Sequence, residues 1–167
     1  MEIRQASTED EFEQARALMR AFVAWSRVLY ADDPELVDRY FDKAAFEAEL
    51  AALPGSFAPP RGRLLLASED GRALGCAALR DLGQDIGEVK RMYVADAARG
   101  RGVGRALGER LIAEARDAGY GRLRLDTSVR QAEAIGLYER LGFRRIAAYY
   151  EVPEGMTDWL LFYELAL

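Results

Sequence analysis

Phe12, Ala15, Leu18, Met19, Phe22 and Val23 recur three and four residues apart, so a helix running to about Tyr30 carries one apolar face. Ser7-Thr8-Glu9-Asp10 ahead of it supplies an N-cap and an acidic first turn, and residues 2–6 suffice for a short strand. Asp33-Pro34 marks a second helix start, with Leu36, Val37, Tyr40, Phe41, Ala44 and Ala48 as its buried stripe. Pro54-Gly55 and Pro59-Pro60 then turn the chain into a loop. Residues 63–68 and 73–80 are apolar runs flanking Glu69-Asp70-Gly71-Arg72, and Asp-Gly between such runs predicts an antiparallel hairpin. A strand ending at Val94, a helix over about 102–118 stopped by Gly119, a strand over 121–127 and a helix over 130–141 stopped by Gly142 follow. Strands over about 143–150 and 158–165, joined through Pro153 and Gly155, finish the pattern. Helices lying between strands of one mixed sheet predict a single α/β or α+β domain over 1–167.

Composition narrows the chemistry. The 167 residues, half of them hydrophobic, can bury one substantial core, and a second full domain is not expected. No apolar run approaches the ~20 residues of a membrane span, and Met1-Glu2-Ile3-Arg4-Gln5-Ala6 lacks the features of a signal peptide. A cytoplasmic protein without membrane association is the expectation. The single cysteine, Cys76, lies in the apolar run Leu74-Gly75-Cys76-Ala77-Ala78-Leu79 and reads as a buried thiol without a catalytic task. There is no histidine, which removes the commonest general base, most zinc sites and every Ser-His or Cys-His pair. Carboxylates, tyrosines or lysine must therefore carry any acid–base work.

The net charge of −5 is unevenly placed. Residues 1–60 hold 12 acids and 6 bases, whereas residues 88–145 hold 8 acids and 13 bases. The basic stretch contains Arg99-Gly100-Arg101-Gly102-Val103-Gly104-Arg105, between a predicted strand and a predicted helix. Glycines tolerate φ > 0 and let successive amides face one concavity, and the helix that follows adds free N–H groups and its dipole. A pyrophosphate suits that arrangement. A P-loop is excluded because no Lys-Ser/Thr follows the glycines, and the G-x-G-x-x-G dinucleotide spacing is absent. An acidic chain without interleaved surface aromatics also argues against nucleic acid as the anion.

Arg99-x-x-Gly102-x-Gly104 matches the pyrophosphate signature of the GNAT superfamily of acetyl-CoA-dependent N-acetyltransferases. The stretch 88–94 resembles that family's fourth strand, 119–127 its fifth, and 132–143 the helix, turn and sixth strand that follow. The resemblance covers roughly residues 87–150, and the first 60 residues, where the family's acceptor site is usually shaped, carry little of it. It implies a central, mostly antiparallel mixed sheet flanked by helices, with fourth and fifth strands splayed around acetyl-CoA and no metal. By the same resemblance, the loop amides from Arg99, Gly100, Arg101, Gly102, Val103, Gly104 and Arg105 bind the pyrophosphate. Met92, Tyr93 and Val94 would hydrogen-bond the pantetheine arm and polarise the thioester carbonyl. Leu125, Asp126 and Thr127 would close the opposite side.

Tyr138 matches the tyrosine that protonates the departing thiolate in many family members; a phenol with an ordinary pKa of about 10 is protonated at neutral pH. As a plain core aromatic it would share a helix face with Ile135 and Leu141. Glu88, eleven residues before Arg99, stands where one branch of the family places its general base, and a solvated strand-end glutamate is the other reading. Lys90 and Arg91 would bind an acidic substrate group or pair with carboxylates. Trp25, Tyr30, Tyr40, Phe41, Tyr149 and Tyr150 are core or pocket-lining aromatics, and the seven acids from Asp32 to Glu49 either attract a cationic amine or form a solvated face. The implied activity is direct acetyl transfer from acetyl-CoA to a small-molecule or peptide amine in a ternary complex. A catalytically silent acyl-CoA-sensing domain is the alternative. Family members often dimerise through sheet edges or terminal strands, and no motif here decides whether this chain forms a homodimer.

Overall fold

The computed structural model describes residues 1–167. Strand β1 (Glu2–Gln5) leads to Thr8, whose side chain accepts from the Glu11 amide while Glu11 reaches back to the Thr8 amide. This reciprocal cap starts α1 (Glu9–Leu29), whose buried stripe includes Ala15, Leu18, Met19 and Val23. The second helical stretch breaks in two, α2 (Pro34–Tyr40) and α3 (Lys43–Ala51), where a single helix was expected. The physical cause is Asp42, whose carboxylate accepts from the Ala45 amide at 2.8 Å and caps a new helix. The resulting change of axis leaves Ala44 and Ala48 exposed and buries Phe46 and Leu50 in their place.

The hairpin of β2 (Arg63–Glu69) and β3 (Arg72–Asp81) turns through Asp70 and Gly71, both at positive φ (+50° and +76°), as a two-residue turn matched to strand twist requires. β4 (Ile86–Val94), α4 (Val103–Asp117), β5 (Arg122–Ser128) and α5 (Ala132–Arg140) follow as expected. β6 is only Arg144–Ile146, shorter than the expected 143–150, because Tyr149 and Tyr150 leave the sheet edge to bond carboxylates on β4 and β5. β7 (Leu160–Ala166) lies between β5 and β6, giving the order β1-β2-β3-β4-β5-β7-β6. Every pairing is antiparallel except β4 with β5.

Both sheet faces are covered, which explains the unbroken apolar run 64–67. Leu64 and Leu66 pack with α1–α3, whereas Leu65 and Ala67 pack under α4 and α5. Strand β4 departs from this alternation. Val89 and Tyr93, four residues apart, would share a face in a regular strand, yet Val89 belongs to the α4–α5 core and Tyr93 to the α1–α3 core. The register explains it: Ala78 faces Lys90 and Cys76 faces Tyr93, so Arg91 and Met92 together oppose Ala77 in a β-bulge. Arg91 sits there at φ +52°.

Candidate active site

β4 and β5 are hydrogen-bonded in parallel only at Ile86–Arg122, Gly87–Leu123 and Glu88–Arg124. Beyond that point they separate, and their C-terminal halves border a narrow slot of about 40 Å³. Phe22, Ser26, Tyr40 and Phe41 line it from the α1–α2 side, and Met92, Gln131 and Tyr138 from the α4–α5 side. Ser26 Oγ, Ser128 Oγ and Trp159 Nε1 are buried in its walls with no hydrogen-bond partner. Leaving such groups unpaired costs about 1–3 kcal/mol each, so the walls of the slot carry polar atoms that water or a polar ligand can satisfy.

Val89, Lys90, Arg91 and Met92 form the β4 wall, with the bulge inside it, and Tyr93 and Val94 fall outside the lining. A bulge leaves main-chain groups outside the ladder, the condition for donating them to a ligand carbonyl. Tyr93 turns its ring away from the slot onto Phe22 and Trp25, with centroids at 5.6 and 6.5 Å. Among the side chains of 92–94, Met92 is the one that reaches the slot.

The glycine loop follows a short 3-10 turn at Asp96–Ala98. Gly100 and Gly102 adopt φ +73° and +79°, and a Cβ at either position would meet nothing within 4 Å. Conformation rather than crowding therefore demands glycine. Gly102 caps α4 without any side-chain hydrogen bond, so the first amides of that helix, at Val103, Gly104 and Arg105, lack a side-chain acceptor. The arginines are engaged elsewhere. Arg99 Nη2 binds Asp96 at 2.9 Å while its guanidinium lies over the Trp25 ring at 4.8 Å; Arg101 pairs with Glu69 at 2.6 Å and Arg105 with Glu109 at 2.7 Å. The donors this loop leaves without a side-chain partner are therefore in its main chain.

Tyr138 is buried on α5 beside Phe143, and its phenol lines the slot without a hydrogen bond to the protein. Burial, with the Asp126 charge adding to it, pushes the phenol well above its ordinary pKa, so it holds its proton.

On the other side the slot meets an open cleft of about 540 Å³, and Tyr40, Lys90, Arg91, Asp126 and Leu160 belong to both. Two carboxylates bonded by three phenols line the cleft. Glu88 Oε1 accepts from Tyr149 Oη at 2.8 Å and its Oε2 from Arg80 Nε at 2.5 Å. Asp126 Oδ1 accepts from Tyr40 Oη at 2.8 Å and Lys90 Nζ at 3.3 Å, and Oδ2 from Tyr150 Oη at 2.5 Å. Desolvation alone would raise the Asp126 carboxyl, but Lys90 and the two phenols outweigh it and hold the group below its ordinary value. Burial and the adjoining carboxylates push Tyr149 and Tyr150 far upwards.

Glu88 is thus no solvated strand end, being 1% exposed with both oxygens occupied. Lys90 and Arg91 pair with carboxylates, Asp126 and Glu49. Among the seven acids from Asp32 to Glu49, Asp32, Asp38, Glu47 and Glu49 pair with arginines and Asp42 caps α3. Cys76 is buried, with its thiol pushed up to about 12 by desolvation. The sequence reading missed Ser26, Ser128, Trp159 and Arg80. Their buried polar atoms and pairings depend on tertiary placement, whereas the uneven Val89, Met92, Val94 spacing was a readable sign of the bulge. No group of three or more His, Cys, Asp or Glu side chains is placed to hold a metal ion, and no helix is long and apolar enough to cross a membrane.

A solved acetyltransferase from Streptococcus agalactiae superposes over 99% of this chain and 98% of its own with a TM-score of 0.76, at 21% identity, and so shares the fold. A Klebsiella pneumoniae structure assigned as an acyl-CoA N-acyltransferase is 34% identical, covering 74% of this chain and 86% of its own with a TM-score of 0.60. The IAA acetyltransferase of Azospirillum brasilense is 46% identical over 89 residues, 53% of this chain and 58% of the relative. The chain spans between about half and two thirds of the length of the first curated relatives it matches. The acetyltransferase (GNAT) family model matches residues 21–143. The chain belongs to the acetyltransferase (GNAT) family.

Proposed function

We propose that the protein transfers an acetyl group from acetyl-CoA to an amine by direct attack in a ternary complex. The observation that supports this reading is the junction of the slot and the cleft, with a protonated phenol, Tyr138, in the lining of the slot and a buried carboxylate, Glu88, in the lining of the cleft. The residues present suit the cosubstrate: unpartnered Ser26, Ser128 and Trp159 atoms await polar groups such as the amides of a pantetheine arm, and the amides from Arg99 to Arg105 suit a pyrophosphate. Acetyl-CoA, when bound, supplies the activated thioester.

The chain's own groups then divide the work. Main-chain N–H groups at the Arg91–Met92 bulge, continued by Tyr93 and Val94, orient the thioester carbonyl and stabilise negative charge developing on its oxygen. Tyr149 accepts a proton from the attacking amine as it passes its own to Glu88 Oε1, to which it is already bonded. As the carbon–sulfur bond breaks, Tyr138 gives its proton to the sulfur and regains one from solvent. The Lys90–Asp126 ion pair bridges β4 and β5 where the slot meets the cleft.

Release of free thiol from acetyl-CoA with a panel of amines, alongside CoA affinity, tests the reading. Turnover with at least one amine is expected, and Tyr138→Phe should lower kcat by about 10²-fold or more while leaving CoA affinity within about twofold. Tight CoA binding without turnover across amino acids, polyamines, aminoglycosides and peptides would overturn it in favour of a sensing domain. Full activity in Tyr138→Phe would remove Tyr138 from its role.

A further inference from the structure

The cleft is positive in a negative protein. Arg39, Arg80, Lys90, Arg91 and Arg124 line it against only Glu88 and Asp126, while the net charge of the chain is −5. All four oxygens of these carboxylates already accept from phenols or cations, which offset their charge toward an incoming ammonium ion. Three of the cations are matched by carboxylates of their own: Lys90 by Asp126, Arg91 by Glu49 and Arg124 by Glu164.

Arg80 and Arg39 differ from these. Arg80 spends only Nε on Glu88, so both its Nη atoms make no hydrogen bond within the protein, and its side chain is 38% exposed to the cleft. Arg39 gives Nη1 to the Glu154 carbonyl at 2.8 Å and pairs with no carboxylate. A guanidinium with an open, planar pair of donors binds a carboxylate in bidentate fashion, and here Glu88 fixes the orientation of the fork. Arg80 and Tyr149 bond the same Glu88 carboxylate, so an anion held by Arg80 lies next to the phenol that would receive the amine proton. That adjacency suits a nitrogen and a carboxylate separated by one carbon.

We propose that the acceptor is a free α-amino acid, its carboxylate held by Arg80, with Arg39 drawing it into the cleft and its amino group directed at Tyr149. The proposal rests on the acetyl-transfer reading above. Thiol release measured with α-amino acids, the corresponding carboxamides, a polyamine and an aminoglycoside tests it. The amino acid should exceed its own carboxamide in kcat/KM by about 10²-fold or more, as a site built around a charged pair discriminates. Arg80→Gln should cut that ratio at least about tenfold and Arg39→Ala several-fold. The ratio is the readout because both acceptors use the same base, so disturbance of Glu88 cancels, and Arg39→Ala carries the test where Arg80→Gln does not fold. Turnover of carboxamides or polyamines as efficient as that of amino acids, or a ratio unmoved in the variants, would overturn the proposal and leave acetyl transfer standing. No turnover with any amine would overturn both.

Discussion

Replacing Lys90 by Met exposes how the gap between β4 and β5 is held. The Lys90 and Asp126 side chains are 12% and 3% exposed, with Nζ 3.3 Å from Oδ1. Removing one partner of a buried pair strands the other charge and costs about 3–5 kcal/mol, against less than about 1 kcal/mol for an exposed pair. At about 2–4 °C per kcal/mol for a chain of this length, the melting temperature should fall by about 6–20 °C. Lys90→Met/Asp126→Asn should recover much of the loss, because no buried charge remains.

The pH dependence supplies a sign as well as a size. In the parent protein the Asp126 carboxyl is held below its ordinary value. Its contribution is therefore present above the unfolded pKa of about 3.9 and is lost only as pH falls through the lower folded value. Without Lys90, desolvation loses its main opponent and the folded carboxyl rises above the unfolded value. The folded variant then binds the proton more readily than the unfolded chain, so its stability increases as pH falls from neutral. Urea unfolding at pH 7.5 and 5.5 should show Lys90→Met gaining on the parent over this interval. A cost below about 1 kcal/mol, or parallel behaviour of the two proteins with pH, would refute a buried, charge-compensated pair.

Other perturbations separate main-chain from side-chain work. Gly102→Ala forces an L-residue to φ +79° and should cost about 1–2 kcal/mol, seen by calorimetric titration as CoA affinity weakened about 5- to 30-fold. Arg101→Ala should leave that affinity within about threefold, since its exposed guanidinium is engaged by Glu69; a loss beyond tenfold would mean that the arginine turns to the phosphates. Cys76, with its thiol raised to about 12, should resist thiol reagents in the native protein at pH 8 and react fully in denaturant. Thr8→Ala should lower unfolding stability by about 1 kcal/mol by removing the α1 cap, as measured by urea titration.

Elements whose signals are local were legible in the sequence. The Thr8 cap, the Asp70-Gly71 turn and the helix stops at Gly119 and Gly142 each depend on a residue's own backbone preference, and each stands where the pattern put it. The division of residues 34–51 was missed because Asp42 can cap or simply be solvated, and the choice is made by packing Phe46 and Leu50 into the core. Residues 147–150 read as the end of the sixth strand, but the Tyr149 and Tyr150 phenols bond Glu88 and Asp126 and draw the chain off the sheet edge. The glycine loop was visible as composition; that its arginines turn aside was not, since Asp96, Glu69 and Glu109 had first to be placed.

The bulge on β4 shows why the site survives without a ligand to hold it. A residue in the left-handed region costs about 1–3 kcal/mol, and Arg91 at φ +52° could relax if the strand ran straight. A regular β4, however, would turn Tyr93 to the α4–α5 side and Met92 and Val94 to the opposite one, because side chains alternate. Tyr93 would forfeit its contacts with Phe22 and Trp25, and Val94 its place near Gly104, whose Cβ would stand 3.6 Å from Val94 Cγ2. Burying such side chains is worth about 1.5–3 kcal/mol each, so regularising the strand would lose more than the strain it relieves. Core packing on both faces thus enforces the irregular backbone beside the slot, and the main-chain geometry there is set before any ligand arrives.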